Sequence, residues 1–130
     1  MLLGTYTPTL IGKNRLVLPM KLRKEISGNQ LVLSVGMEKC IFGFEEQKWE
    51  TVTLVDLSRP ISDSEGRDLR RKLCMNAEKI ELDTQGRLVV PELMMKYAEI
   101  EENLIILGAG DHFEIWNTTT WNNYKQEIDK

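Results

Sequence analysis

Lys13-Asn14-Arg15 is the triplet in this chain whose side chains best suit gripping or reading another molecule. An arginine fork pairs bidentately with guanine, an asparagine amide pairs with adenine, and a lysine ammonium reaches a base edge or a phosphate. With Gly12 before it, the triplet predicts the short basic tip of a two-stranded ribbon, narrow enough to enter a major groove. The bland alternative is a solvated turn whose arginine caps a neighbouring carbonyl. Lys21, Arg23 and Lys24 follow on a predicted helix and flank the same face as candidate phosphate contacts, with an ordinary exposed helix face as the alternative.

Other chemistries find less support. His112 is the single histidine and has no companion at ligand spacing, so no metal site is expected. No G-x-S-x-G, no P-loop and no histidine beside a nucleophile occurs, and nothing stands ready to activate Ser27, Ser34 or Cys40. The chain is therefore expected to be no enzyme and to need no cofactor. Trp49, Trp116, Trp121 and Phe113 read as core and interface fillers rather than a base-stacking platform.

The net charge of −3 hides an asymmetry. Residues 1–30 carry five basic side chains against Glu25 alone, residues 31–73 carry seven against eight, and residues 74–130 carry five against eleven. Charge divided in this way turns the first stretch toward an anion. At 130 residues, 42% hydrophobic and 28% charged, the chain has the composition of a soluble globular protein. No apolar run approaches a membrane span, and Met1-Leu2-Leu3-Gly4 is too short for a signal peptide. Cys40 and Cys74 read as two buried thiols in a reducing cytoplasm.

The elements that must hold these residues show best in 81–98. Asp83-Thr84-Gln85-Gly86 reads as a tight turn, and Leu88-Val89-Val90 as a strand buried on both faces. Pro91 stops that strand and starts a helix, along which Leu93, Met94, Tyr97 and Ala98 keep helical spacing. Residues 10–26 repeat the unit: Arg15 falls on Arg87, Leu16 on Leu88, Val17 on Val89 and Pro19 on Pro91, at a constant offset of 72. Asn14 falls on Gly86 and reads as the left-handed turn residue. After each unit come a strand, a glycine (Gly36, Gly108), a second strand and a tryptophan segment (Trp49, Trp121). The chain reads as an internal duplication whose halves share one core.

Each turn is expected to close a hairpin, 3–10 with Arg15–Leu18 and 76–82 with the Leu88 strand. Pro8 confines the first arm to an edge or a bulge. Helices are expected over Met20–Ile26, with Leu22 and Ile26 inward, and over Glu45–Val55, with Trp49 and Val52 inward. A third runs from a Ser62 or Asp63 cap to Asn76, and a fourth spans Thr118–Ile128 on Trp121, Tyr124 and Ile128. The linker-like stretch 56–63 divides the halves. Arg67, Arg70, Arg71 and Lys72 suit DNA, solvent or the acidic second half of a neighbouring subunit. The subunit contact is preferred, because opposite charge at the two ends suits head-to-tail association.

With the doubled turn-arginine-strand-proline-helix unit in view, the sequence resembles the MraZ family, within the AbrB-like swapped-hairpin superfold. The resemblance rests on Glu81-Leu-Asp-Thr-Gln-Gly-Arg-Leu-Val-Val-Pro91, Gly110-Asp-His-Phe-Glu-Ile-Trp116, Arg67-Asp-Leu-Arg-Arg-Lys-Leu-Cys-Met-Asn-Ala77 and Met1-Leu-Leu-Gly-Thr5. It departs at Ile11, where the family usually has an aspartate. It implies an α+β fold of two duplicated βαββα half-domains, 1–58 binding DNA and 59–130 with its preceding helix. These form one pseudo-twofold, β-barrel-like unit with flanking helices.

The resemblance further implies a bacterial regulator of the cytoplasm and nucleoid, usually a repressor. Such a protein is expected to assemble into a ring and bind direct repeats upstream of its own division and cell-wall operon. Its partners are then double-stranded DNA and itself, with no membrane. Arg87 has the signature context, but Glu78, Glu81, Asp83 and Glu92 surround it. It reads first as ordering its own turn or pairing with a carboxylate across the half-domain interface, and second as a DNA contact. The alternative function is a ring that scaffolds proteins and ignores DNA, which the pI of about 5.3 favours.

Overall fold

The computed structural model describes residues 1–130, the side chain of Asp56 excepted. The first half of the chain forms β1 (Thr5–Tyr6), β2 (Arg15–Val17), α1 (Met20–Arg23), β3 (Gln30–Val35), β4 (Ile41–Glu45) and α2 (Glu46–Leu57). After α3 (Ser64–Cys74) the same order returns: β5 (Glu78–Glu81), β6 (Arg87–Val89), α4 (Glu92–Tyr97), β7 (Leu104–Gly108), β8 (Phe113–Asn117) and α5 (Thr118–Ile128). Pro19 and Pro91 sit at the N-caps of α1 and α4 with identical backbone angles, φ −54° and ψ 138°. Proline's fixed φ sets both helix starts.

Strand pairing departs from the expected hairpins. An antiparallel sheet runs β1-β7-β8-β4-β3-β5, and β2 pairs with β6 in a separate ribbon. So β1 pairs with β7 and β5 with β3, and each strand that should close a hairpin lies against the opposite half. Only the turn-closing bonds of the expected hairpins remain, Ile11 N–H to Arg15 O at 2.7 Å and Asp83 N–H to Arg87 O at 3.0 Å. In exchange, Leu16 and Leu88 meet across the ribbon, both fully buried. The sheet is open rather than barrel-like, with the two-residue β1 at one edge, where Pro8 cannot extend a ladder.

Other departures follow from side-chain periodicity. Leu88 points inward, so Val89 is turned out and 45% exposed, and the ribbon is not buried on both faces. Leu73 takes the inner position at the end of α3, which leaves Cys74 exposed, while burial of Cys40 pushes its thiol pKa up. In α5 Trp121 and Tyr124 pack on the buried Trp116, with ring centroids 5.1 and 5.3 Å away, whereas Ile128 is exposed. Helix α1 ends early, and its last residues tighten into three-residue turns through Ile26.

The arginine cluster of α3 makes bonds within its own chain. Arg70 donates to the carbonyls of Leu57 and Arg59, closing the end of α2, and Arg67 donates to Ile61 O at 2.7 Å. Arg71 pairs with Asp68 at 2.9 Å, and Lys72 reaches Met37 O at 3.4 Å. Asp63 caps the helix by accepting from Glu65 N–H.

One core serves both halves, with Leu18, Leu22, Leu33 and Ile41 beside Val90, Met94, Ile106 and Phe113. At the centre of the sheet Gly43 lies opposite Phe113, and a Cβ on Gly43 would run into the phenyl ring.

His112 sits at the edge of this core. Its Nδ1 lies 2.7 Å from Asp111 and its Nε2 2.8 Å from Glu114, and the ring stacks on Phe44. Burial disfavours the imidazolium, but the hydrogen bonds and charges of Glu114 and Asp111 outweigh it and raise the pKa. A folded-state pKa above the unfolded one gives stability that is complete below pH of about 6.5 and is lost as pH rises through the folded value. The melting temperature is expected to fall as pH is raised through that window, and His112→Gln should flatten the fall. An equal slope in the variant would remove the histidine from the account.

Candidate nucleic-acid interface

The ribbon fixes where the candidate residues go. In β2·β6 the register sets Arg15 against Val89 and Val17 against Arg87. Since the two leucines point inward, all four of these side chains share the outward face, and the arginines stand on a diagonal. Arg15, Arg87 and Val89 also line one cleft with Lys79, Ile80, Glu81 and Asp83. Lys79, which nothing in its local sequence marks out, arrives there because β5 pairs with β3, and its Nζ bonds Glu46 at 2.9 Å.

The two turns differ in how they are held. Asp83 organises the second: Oδ1 accepts from the N–H groups of Gln85 and Arg87, each at 2.9 Å, and Oδ2 accepts from Arg87 Nε at 2.6 Å. The Arg87 backbone bond, followed by its guanidinium, holds the Asp83 carboxyl below its ordinary pKa. Arg87 is thus tied to a carboxylate of its own turn.

In the first turn Ile11 stands where Asp83 would be, and among the described residues no carboxylate pairs with Arg15. The left-handed residue there is Gly12, at φ +67°, and not Asn14. Asn14 instead donates from Nδ2 to Val90 O at 2.8 Å, and its own carbonyl accepts from Val90 N–H. That side chain anchors the turn to the end of β6 with one amide N–H and leaves the other N–H and Oδ1 for a base edge.

The remaining candidates lie around the ribbon's two ends. Lys13 and Asn14 line a cleft with Glu92, Met95, Lys96 and Glu101. At the other end the Arg23 guanidinium lies directly over Gly86, whose φ of +78° and missing side chain admit it. Arg23 is therefore half-buried against the second turn, with Lys24 beside it in the cleft and Lys21 exposed on α1.

Charge pairing separates the halves more sharply than charge count. Among the described residues none of Lys13, Arg15, Lys21, Arg23 and Lys24 joins an ion pair, and Glu25 faces the Met1 ammonium at 3.3 Å. Of the five cations in 74–130, by contrast, Lys79, Arg87, Lys96 and Lys125 are all paired. Exposed cations without carboxylates suit an outside anion, because no partner must be displaced. Among the described residues no group of histidine, cysteine and carboxylate side chains could hold a metal, and no helix is long and apolar enough to cross a membrane.

The chain is similar throughout to known proteins. The model of the family described as "MraZ protein, putative antitoxin-like" matches residues 1–72 and again 73–130. A protein of Micrococcus luteus named "Transcriptional regulator MraZ" is 40% identical over 127 residues, 98% of this chain and 88% of the relative. Proteins of the same name from Kocuria rhizophila (38% identical over 98% of this chain and 88% of the relative) and Kineococcus radiotolerans (35% over 99% and 90%) agree. Matched by one family model in two segments that together span every residue, the chain belongs to the MraZ family.

Proposed function

We propose that this chain is a sequence-specific DNA-binding transcriptional regulator. It represses its own operon of division and cell-wall genes by binding direct repeats as a ring. The observation that carries the reading is the set of unpaired cations around the two ends of the ribbon, Lys13, Arg15, Lys21, Arg23 and Lys24, with Ile11 where the second turn has Asp83. The relatives' names support the regulatory part.

On this reading the fold is a duplicated swapped hairpin, with residues 1–58 and 59–130 related by a pseudo-twofold. The exchanged pairs β1·β7 and β5·β3, and the ribbon β2·β6, support that relation. Residues 1–58 supply the unpaired cations of the DNA-binding face. The cations meet phosphates, which gives affinity and register, while the ribbon meets base edges. One small ribbon buries little surface, so useful specificity needs several copies on spaced repeats, and assembly is part of the mechanism.

A mobility-shift titration with the duplex upstream of the chain's own gene tests the reading. Retardation is expected at roughly 50 mM salt and should weaken steeply toward about 200 mM. A chain that retards nothing at the lower salt does not bind DNA, and the scaffold alternative then takes over.

A further inference from the structure

We propose that the two ribbon arginines divide the work, with Asp83 a positioning residue that makes Arg87 the base-reading side chain and leaves Arg15 to grip phosphate. The inference rests on the DNA reading above and assigns roles within that site.

The geometry around Asp83 carries it. The carboxylate is itself held by two backbone N–H groups, and it takes Arg87 by Nε, the inner nitrogen of the guanidinium. Among the described residues the terminal nitrogens Nη1 and Nη2 bond nothing, while the side chain remains 39% exposed on the ribbon's outer face. An arginine fixed in this way presents its outer fork in one orientation, which a pair of acceptors on guanine requires. Its charge is offset by the aspartate, so its pull on a phosphate is weak while its donors stay intact. Preorganisation also removes much of the entropy cost of immobilising a long side chain.

Arg15 has the opposite properties. It is exposed, joins no ion pair among the described residues and has Ile11 where a carboxylate would stand. Phosphate contacts tolerate such freedom, because they ask for charge more than for direction. Val17 and Val89, 37% and 45% exposed, share the face and offer apolar contact to a thymine methyl. The preferred element is thus a guanine with a thymine close by, read from the second copy of the unit.

The test compares two duplexes, one from the upstream region and a scrambled one of equal length. Asp83→Asn frees Arg87 and deletes a negative charge. It is expected to bind the scrambled duplex several-fold more tightly, with a salt dependence steeper by about one unit, while the preference for the upstream duplex falls roughly tenfold. A turn merely damaged would weaken both duplexes, so the opposite movements identify positioning. Arg15→Ala should weaken both together and keep their ratio.

Because Asp83 also ties its turn, Arg87→Lys serves as the second variant. It keeps the charge and loses the fork, and the ratio should fall again. An unchanged ratio in Asp83→Asn or Arg87→Lys, or a ratio erased by Arg15→Ala, overturns the proposal. A wild-type chain that binds both duplexes equally overturns it too, with DNA binding intact. One that binds neither overturns the DNA reading itself.

Discussion

Arg15→Ala is expected to abolish retardation of the upstream duplex near physiological salt while leaving the protein as stable as before. The side chain is exposed and bonds to nothing among the described residues, so its loss should change folding stability by no more than about 0.5 kcal/mol. Binding is different. Each ribbon loses a cation directed at phosphate, which lowers the salt slope by about one for every site engaged. In the proposed ring these losses multiply, because each bound finger raises the effective concentration of the next. Titrations at several salt concentrations, beside a melting curve and a measurement of assembly size, separate the effects. Normal retardation by a well-folded Arg15→Ala chain would take the interface away from the first turn.

The second large effect concerns the core. Phe113 is fully buried in the middle of the sheet, with its ring in the space that Gly43 leaves open. Phe113→Ala deletes the ring where no side chain stands opposite to collapse into the gap, and should cost about 3–5 kcal/mol. Against a typical total of about 5–15 kcal/mol, that is enough to unfold a large share of the molecules. Gly43→Ala makes the converse error by pressing a methyl into the ring, at about 1–3 kcal/mol. Combined with Phe113→Leu its penalty should shrink, since the two changes share one space and cannot be additive. Urea denaturation of the two single variants and the double gives the coupling, and strict additivity would show that the ring does not fill that space.

What the sequence made readable was local. Pro19 and Pro91 marked two helix starts because proline's φ is fixed whatever surrounds it, and Gly86 marked its left-handed turn because glycine, without a Cβ, reaches positive φ at no steric cost. The charge imbalance was readable too, since counting needs no coordinates. Partners were not. The strand opposite Leu16 is 72 residues away, and the carbonyl that receives the Asn14 amide is 76 away. Nothing in a local window distinguishes a strand that folds back on its neighbour from one that crosses to the other half. The same limit hid the packing of Arg23 on Gly86 and of Arg70 on the end of α2. Asn14 misled by alignment with Gly86, because the first turn moves its left-handed residue to Gly12 once Ile11 cannot accept the N–H groups that Asp83 accepts.

The crossing of β1 onto β7 and of β5 onto β3 has a mechanical consequence. A protease that nicks the loop between Ser58 and Asp63 cuts the chain without releasing either piece, because every cross-half ladder remains laced. Two fragments made separately would each lack the strands that complete their sheet, and would regain shape only on mixing.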